Sequence, residues 1–589
     1  MSSVEELFGK VGKGIIIASF LILAVAGGVG YLTFVQPKYS LTIYHFNVQY
    51  NAGDPVATER VLTNALYGLL KVYEKHPNWK FTIEIQGLAI EMLYENYTYI
   101  FNLLKELVDR GQCELIVTHY SDQLWIAYPA EDLIRSIKLS REILNKVGLK
   151  VADIAMFQEG QWSPGLVLLS DLGFKATLVS EDILRWFGVE TEYPILKWKF
   201  ADRQIYLVIF GHGVYSFKGI TWSWRWVEDG EIATTLAYEN DFQYVPRMAK
   251  NHEQRMQILE AMGWKFITVS EWIKIAEENN LIGDLNKYMP ATTWNNPSCL
   301  GPFRWLGDHR AYWEDDGYVR GLNSIARGKV LAAEIIHEKY KNSLNETVRE
   351  LLDKKIDLAW RYVFLAEVSD STGWNPLENE VKYSNNYSEL AIKLAEEVAG
   401  FYLDFLGVKY IQVLSFNKTV IATNNEEDLV KFEDLGDVES PVNIVAQGTT
   451  IKVSARKIKI LNYSVIKVVI TAQPSDNMTI SITGDFNRIR ISPALLENVT
   501  VLLNHSDYPR DFWLALSNGL IMSDNLAIIR NNSHRFIAIK WSSDKISFVE
   551  TMQENKISYE LFILQNANPE DALFLANLIN VYPIVTFKR

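Results

Sequence analysis

Cysteine is nearly absent from this chain, whose 589 residues contain only Cys113 and Cys299. Two cysteines cannot build a disulfide-stapled scaffold or a four-cysteine zinc site, so both classes are excluded. In an oxidising compartment the two would form one disulfide, and otherwise they would be buried thiols. The sequence leaves both outcomes open.

Positive charge is also in short supply, because 58 Lys and Arg stand against 71 Asp and Glu and the net charge is −13. A general nucleic-acid binder presents a basic surface, so nucleic acid is not an expected partner. Charged residues make up 22% and hydrophobic residues 48%, a globular balance without long disordered segments. The length predicts about two to four folded units.

One stretch contains no charge at all, between Lys13 and Lys38. Residues 14–35 are apolar and long enough to span a bilayer. Lys10 and Lys13 precede the span, so we expect residues 1–13 in the cytoplasm and the remainder outside. A signal peptide cleaved after residues 24–26 is the alternative, and it would export the chain as well. The predicted location is the cell membrane, with one transmembrane helix and an extracytoplasmic main part.

Asparagine sequons agree with export, since nine positions begin Asn-x-Ser/Thr and most of them lie after residue 380. Such a motif is a glycosylation acceptor in an exported protein, although it is short. The predicted glycosylation sites are Asn96, Asn345, Asn386, Asn417, Asn462, Asn477, Asn498, Asn504 and Asn531.

Residues 38–280 alternate short β-rich runs with longer helical patterns, which is typical of parallel sheets built from strand–helix–strand units. We predict a distorted (β/α)7-type barrel, with a functional site at the C-terminal ends of the strands. A doubly wound open sheet is the structural alternative. The predicted strands are 41–46, 80–85, 113–117, 154–158, 175–179, 205–210, 234–238 and 265–268.

The remaining chain contains two further regions with different sequence patterns. Residues 281–407 are mostly helical in pattern, with aromatic-rich loops, and would complete a cleft on the barrel. Residues 408–589 contain short alternating strands between turn signals, which predicts an all-β sandwich. The class is therefore α/β followed by all-β.

Ionisable side chains follow several of the predicted strands. Glu159 follows the fourth strand, and Glu239 and Asp241 follow the strand at 234–238. Two carboxylates at the ends of different strands suit glycosidic cleavage, in which one attacks or activates water and the other protonates the leaving oxygen. The spacing alone is weak, because Glu159 could instead support the start of the following helix.

The order of several segments resembles glycoside hydrolase family 57. The resemblance is strongest over residues 127–184, which include the run MFQEGQWSPG, and it extends loosely over about residues 40–405. Other segments in family order are YHFNVQY (44–50), FTIEIQGLAIEML (81–93), LAYENDF (236–242), KFITVSEWI (265–273) and WRYVFLAEVSDSTGW (360–374).

The resemblance implies a retaining glycosidase or glucanotransferase acting on an α-linked glucan. It makes Glu159 the nucleophile and places Glu239 at the acid/base position, where the family has Asp; Asp241 is the alternative, and loss of activity is the third outcome. The first motif also departs from the family pattern. His45 is kept, but Asn47 stands where the family has a second histidine.

Histidine and tryptophan side chains are the predicted substrate contacts. His45, His119 and His212 follow strands and would bind sugar hydroxyls. Aromatic faces stack on sugar rings, and tryptophans outside a core motif are typical of such platforms. Packing of the barrel mouth is the competing interpretation. The tryptophans predicted to contact substrate are Trp222, Trp305 and Trp374.

No metal or other cofactor is predicted. An α-mannosidase would need a His-x-Asp ligand pair, and the corresponding residues are His45 and Asn47; a neutral amide is a poor substitute for a charged ligand. The predicted partners are a polysaccharide or oligosaccharide and the membrane. A catalytically inactive glycan-binding or cell-envelope protein on the same fold is the alternative function, and a metal-dependent deacetylase is a remote third.

Overall fold

The computed structural model describes residues 36–49, 51–211, 213–228, 244–293, 303–306, 316–373, 376–448, 450–473, 478–508, 511–524, 526–550 and 557–589. The predicted membrane span at 14–35 and the predicted strand at 234–238 lie outside these residues. So do His212, Glu239, Asp241, Cys299, Trp374 and Asn477. Within the described ranges, no helix combines the length and the apolar character needed to cross a membrane.

The N-terminal α/β unit contains eleven strands among the described residues. They are β1 Lys38–Phe46, β2 Phe81–Ile85, β3 Cys113–Ile116, β4 Ile154–Ala155, β5 Ala176–Ser180, β6 Ile195–Phe200, β7 Arg203–Phe210, β8 Gly213–Phe217, β9 Ile220–Glu228, β10 Lys265–Phe266 and β11 Ile282–Leu285.

These strands form two sheets, in the orders β3-β2-β1-β9-β8, with β10 also on β1, and β11-β6-β7-β5-β4. The ladders β3-β2-β1-β9 and β4-β5-β7 are parallel. The Leu115 carbonyl accepts from the Ala152 amide at 2.8 Å, which links the β3 end of one sheet to the β4 end of the other. The predicted closed barrel is therefore not confirmed: among the described residues, no ladder joins β7 to β9.

The two sheets enclose an apolar core. Strand β2 is buried along its whole length, as expected for a parallel strand covered on both faces. Ile154 of β4 and Val208 of β7 pack with Trp222 and Trp224 of β9 in one cluster. Strand β9, which pairs with β1 over eight residues, was not among the predicted strands.

Helices cover the sheets and build a separate helical unit. In the α/β unit they are α1 Pro55–Arg60, α2 Tyr67–Lys75, α3 Gly87–Asn96, α4 Thr98–Asp109, α5 Ala130–Val147, α6 Glu181–Trp186, α7 Tyr244–Ala261 and α8 Val269–Glu278, with a π-helix at Val61–Leu66. The helical unit has α9 Phe303–Leu306, α10 Asp316–Tyr340, α11 Glu346–Ala366 and α12 Glu378–Leu406. Short 3₁₀ turns include Trp125–Ala127, Gln158–Gly160, Pro164–Leu172, Lys341–Ser343 and Ser369–Ser371.

The C-terminal part is a sandwich of an eight-stranded and a five-stranded antiparallel sheet, beside a three-stranded sheet. Ile470, Ile480, Trp541 and Leu561 share one apolar cluster, although they come from both large sheets. The strands are β12 Tyr410–Leu414, β13 Thr419–Thr423, β14 Glu433–Asp437, β15 Asn443–Gln447, β16 Thr450–Ile460, β17 Tyr463–Gln473, β18 Met478–Thr483, β19 Arg488–Ile491, β20 Val501–Asn504, β21 Phe512–Leu514, β22 Leu520–Ser523, β23 Leu526–Arg530, β24 Ile539–Trp541, β25 Lys545–Glu550, β26 Ile557–Gln565 and β27 Ile584–Lys588, with one helix, α13 Pro569–Asn580.

One buried arginine ties the three parts together. Arg327 of α10 donates from Nε to both carboxylate oxygens of Asp132 in α5, at 2.8 and 2.7 Å. Its Nη1 donates to the carbonyl of Val581, after α13. Glu367, at the end of α11, lies against Asp132 and accepts from the Gln123 amide at 2.6 Å. Arg327, Asp132 and Glu367 are each at most 2% exposed.

The α/β unit also touches the sandwich through Gly165, where the fold demands a residue without a side chain. A Cβ on Gly165 would lie 2.1 Å from the Ala494 carbonyl oxygen, so Gly165→Ala must push the two units apart. We expect a loss of about 1–3 kcal/mol in the free energy of unfolding, measured by urea denaturation. Gly400→Ala, in α12 where a Cβ would meet nothing within 4 Å, should instead stabilise by about 0.5–1 kcal/mol. Equal effects of the two substitutions would contradict this packing argument.

Candidate functional site

A histidine–carboxylate pair forms the floor of the candidate site. The register of β1 and β2 sets His45 directly beside Glu84, and His45 Nδ1 contacts the Glu84 carboxylate. On the other side, Trp226 of β9 stacks on the imidazole with the ring centroids 5.5 Å apart. His45 and Glu84 are 6% and 1% exposed, so the pair is shielded from bulk water.

A second polar cluster joins the α/β unit to the helical unit. Asn47 Nδ2 donates to Asp122 Oδ2 at 3.1 Å and to Asp370 Oδ2 at 3.3 Å. Ser369 Oγ donates to the same oxygen of Asp122 at 3.0 Å. The Asp122 amide in turn donates to Gln49 Oε1 at 2.7 Å. Two carboxyl groups from units far apart in sequence therefore share one amide donor.

Burial and mutual repulsion change the acidity of this cluster. Burial, followed by the nearby Asp370 carboxylate, holds the pKa of Asp122 well above its usual range. Burial and Asp370 likewise raise the pKa of Glu380 to about 8. Asp122 Oδ1 is buried and accepts no hydrogen bond from the described residues. A protonated Asp122 would be a donor at this position as well as an acceptor.

Glu159 stands at the C-terminal end of β4, in the 3₁₀ turn Gln158–Gly160, and is half-buried. Its backbone is left-handed, with φ of 58° and ψ of 16°, a conformation that costs a non-glycine residue about 1–3 kcal/mol. Gln158 Nε2 donates to Ser369 Oγ at 3.1 Å, which connects the turn to the Asp122 cluster. Strain of this kind is concentrated at functional sites.

The N-cap of the helix that follows this turn is Ser163 and not Glu159. Ser163 is the N-cap of the following 3₁₀ helix, and its hydroxyl accepts from the Gly165 amide at 3.1 Å. The Trp162 indole N–H donates to the Met289 carbonyl at 2.9 Å, which anchors the segment after the turn. The cap is therefore provided four residues after Glu159.

His119 is a buried neutral acceptor. Its Nδ1 contacts the Ser121 carbonyl, an atom that can only accept, so Nδ1 holds the proton and Nε2 is the acceptor. Burial lowers the pKa of His119, which keeps the ring neutral. Its Nε2 is buried and has no partner among the described residues, while the ring stacks on Phe157 at 5.6 Å.

The two described tryptophans that the sequence predicts as sugar contacts are both buried. Trp222 is 4% exposed and packs against Tyr215 of β8 and Trp272 of α8, at ring-centroid distances of 5.8 and 5.1 Å. Trp305 of α9 is 8% exposed, and its carbonyl accepts from the Thr372 hydroxyl at 2.5 Å. A place for Trp222 at the cleft beside His45 is thus not supported, since Trp226 occupies it.

Sequence reasoning did not single out Glu84, Asp122 or Asp370 as site residues. The signal was present, because Glu84 lies in the quoted segment 81–93 and Asp370 in the segment 360–374. Asp122 lies two residues before the hydrophobic stretch 124–127 and belongs to none of the segments that resemble the family. Only the folded structure brings its partners, Asn47 and Ser369, within hydrogen-bond distance of Asp122.

Asn47→Asp tests the shared-amide arrangement. The substitution removes a donor and adds a third carboxyl beside Asp122 and Asp370, so the pKa of the new acid must rise above its unfolded value. A raised folded pKa means that stability is present at low pH and lost as the pH rises. We expect a loss of about 1–3 kcal/mol at pH 8 and a smaller loss at pH 5, by urea denaturation. Asn102→Asp, on the exposed face of α4, should change stability by less than about 0.5 kcal/mol at both pH values.

The structure gives the positions of several other residues singled out from the sequence, but it does not test their roles. Cys113 is buried in β3. In the described part of the chain, no group of three or more His, Cys, Asp or Glu side chains is arranged to hold a metal ion. Six sequon asparagines are exposed, whereas Asn504 and Asn531 are half-buried; the exposed ones are Asn96, Asn345, Asn386, Asn417, Asn462 and Asn498.

Comparison with known sequences points to one family. Residues 33–217 match the model of glycosyl hydrolase family 57. The chain is 30% identical over 139 residues to an alpha-amylase of Pyrococcus horikoshii, covering 22% of each protein. It is 27% identical over 128 residues to a 4-alpha-glucanotransferase of Thermococcus kodakarensis, covering 20% of this chain and 19% of the relative. The matched segment thus spans about a fifth of these relatives' length.

Comparison with solved structures extends the likeness in fold over most of the molecule. An alpha-mannosidase from Enterococcus faecalis V583 superposes with a TM-score of 0.61 at 9% identity, covering 94% of this chain and 90% of that one. At this identity the likeness concerns the fold alone. The sequence matches, in contrast, include the β4 turn with Glu159 and support a relationship of residues 33–217 to glycosyl hydrolase family 57.

Proposed function

We propose that this protein is a glycosidase that cleaves, or transfers, an α-linked glucan with retention of configuration. The observation that carries the proposal is the placement of Glu159. It lies at a strand end within the family-matched segment, in strained backbone, and is connected through Gln158 and Ser369 to the buried Asp122 cluster. The names of the matched relatives, an alpha-amylase and a 4-alpha-glucanotransferase, favour the same class of substrate.

In this mechanism the Glu159 carboxylate attacks the anomeric carbon while a second acid protonates the leaving oxygen. Water, or a second sugar hydroxyl, then releases the glycosyl group from Glu159. Glu239 or Asp241 would be the acid; both lie outside the described residues. Release by water is hydrolysis, and release by a sugar hydroxyl is transfer.

The polar floor, defined as the His45–Glu84 pair together with His119 and Asp122, provides hydrogen-bonding groups that can orient a sugar. His119 Nε2 is an acceptor for a sugar hydroxyl, and Asp122 Oδ1 is a buried oxygen open to a hydrogen bond. A polar site built to bond a hydroxyl discriminates strongly, because an analogue without it leaves buried groups unpaired. His45, held by Glu84 and Trp226, is the third member of this floor.

We also propose that residues 14–35 anchor the protein in the cell membrane, with the α/β unit outside. The uncharged run between Lys13 and Lys38 supports this location. The exposed sequons at positions such as Asn417 and Asn462 are consistent with export. A membrane-impermeant label should reach these positions in intact cells. If it does not reach them, the proposed topology is wrong.

The function is tested with full-length protein on a panel of α-glucans and aryl α-glycosides. We expect turnover, with the first-formed product in the α configuration by NMR. A product of β configuration would contradict the retaining mechanism. Absence of turnover across the panel, with retained glucan binding, would favour the alternative of an inactive glycan-binding surface protein. The weakened first motif, with Asn47 in place of histidine, is the observation that keeps that alternative in view.

A further inference from the structure

A cavity lies beside the candidate site, on the far side of an aromatic wall. It has a volume of about 380 Å³, within the range of roughly 300–1,000 Å³ that ligand pockets span. Phe210 lines it and stacks on Trp226 at 5.4 Å, and Trp226 in turn stacks on His45. The cavity is therefore adjacent to the polar floor but separate from it.

The cavity combines aromatic rings with a carboxylate. Tyr193, Tyr215 and Trp222 contribute rings to its wall, and Glu181 contributes an acceptor. The Tyr215 hydroxyl hydrogen-bonds with Glu181, whose Oε2 also pairs with Arg185 at 2.7 Å. Arg185 pairs with Glu181, and Glu190 and Glu192 also line the cavity, so its wall offers several acceptors for the hydroxyls of a polar ligand.

A buried donor in the same wall has no acceptor. Trp224 lines the cavity and is 5% exposed, and its indole N–H makes no hydrogen bond among the described residues. Leaving such a group unpaired is destabilising, so an acceptor from a bound ligand that reaches it would relieve the cost. An indole N–H is a donor only, which complements the acceptor Glu181.

The chain backbone is shaped around the Glu181–Tyr215 pair. A Cβ at Gly211 would lie 2.5 Å from Glu181 Oε1 and 2.6 Å from the Tyr215 hydroxyl oxygen. Only glycine leaves both polar atoms in their present positions. Glu181 and Tyr215 are both half-buried, so the pair is partly shielded from solvent.

We propose that this cavity is a second carbohydrate-binding site, which holds one or two hexose units of a glucan chain next to the catalytic cleft. A sugar presents hydroxyls that both donate and accept, together with an apolar C–H face. Glu181 and the Trp224 N–H provide the matching acceptor and donor, and the half-buried Tyr193 and Tyr215 rings provide the apolar surface. The choice of a glucan rests on the proposed function.

The test uses full-length protein with Glu159→Gln, which prevents turnover, and maltotriose as the probe. Native mass spectrometry and titration calorimetry should find two maltotriose sites. Glu181→Gln and Tyr215→Phe, each added to Glu159→Gln, should weaken one of them by about tenfold or more and leave the other unchanged. Asp182→Asn, next to Glu181 but not in the cavity wall, is the matched control and should retain both sites.

A single site that is insensitive to Glu181→Gln, or two sites unaffected by both cavity substitutions, would overturn the proposal. Turnover by the wild-type protein is scored separately. Turnover with only that insensitive site rejects the cavity alone, whereas maltotriose binding that depends on Glu181 without any turnover rejects only the proposed enzymatic function. Absence of both turnover and binding rejects the two together.

Discussion

Glu159→Gln should lower kcat on an α-glucan by on the order of 10⁴-fold or more, with a small change in KM. The amide has nearly the shape of the carboxylate but cannot attack the anomeric carbon, so the covalent step is lost while ground-state contacts remain. The left-handed turn that presents Glu159 is unchanged by this replacement. Steady-state kinetics on the best substrate of the panel give the two constants.

Chemical rescue sharpens the same experiment. With Glu159→Ala, azide can enter the vacated space and attack in place of the carboxylate, so turnover should return with a β-glycosyl azide as product. Glu142→Gln, on an exposed position of α5, is the control and should have wild-type kinetics. If Glu159→Gln kept more than about a tenth of wild-type kcat, Glu159 would not be the nucleophile.

Arg327→Met is the substitution with the largest expected effect on stability. It leaves Asp132 and Glu367 buried against each other without the guanidinium that balances them, a change that typically costs about 3–5 kcal/mol. Burial already raises the pKa of both acids, so they bind protons more tightly in the folded protein. The loss should therefore be greatest at pH 8 and smaller at pH 5, by urea denaturation.

Two variants control for this effect. Arg110→Met breaks a solvent-exposed pair with Glu106 and should cost about 0.5 kcal/mol or less. Arg327→Met combined with Asp132→Asn and Glu367→Gln removes the uncompensated charges and should recover part of the stability at pH 8. A triple variant as unstable as Arg327→Met would mean that lost packing, and not buried charge, causes the destabilisation.

The regular strands were predictable from sequence because burial on both faces makes them nearly continuous apolar runs. This applies to β1, β2 and β5, each close to its predicted bounds. Trp222 of β9 was predicted as a substrate contact, with packing as the competing interpretation, because period-two spacing specifies a shared face and not what covers it. In the structure that face is covered by the opposite sheet and by His45.

The site was predictable only where one segment contains the whole signal. His45 lies at the end of β1, and His119 and Glu159 follow β3 and β4, so strand ends alone identified them. Asp370 belongs to a helical unit, and the sequence contains no local cue that its carboxyl meets Asn47, 323 residues away. Long-range contacts of this kind follow from how units dock, which periodicity does not encode.

Asn47 donates to both Asp122 and Asp370, so docking of the α/β unit on the helical unit buries these carboxyl groups close together. Docking is therefore coupled to proton uptake. Before docking, these carboxyls would be hydrated and ionised near neutral pH. After docking, Asp122 and Glu380 hold protons more tightly, because burial and Asp370 raise their pKa values. Mildly acidic conditions should therefore favour the docked arrangement of the two units, and docking can be followed as uptake of protons from solution.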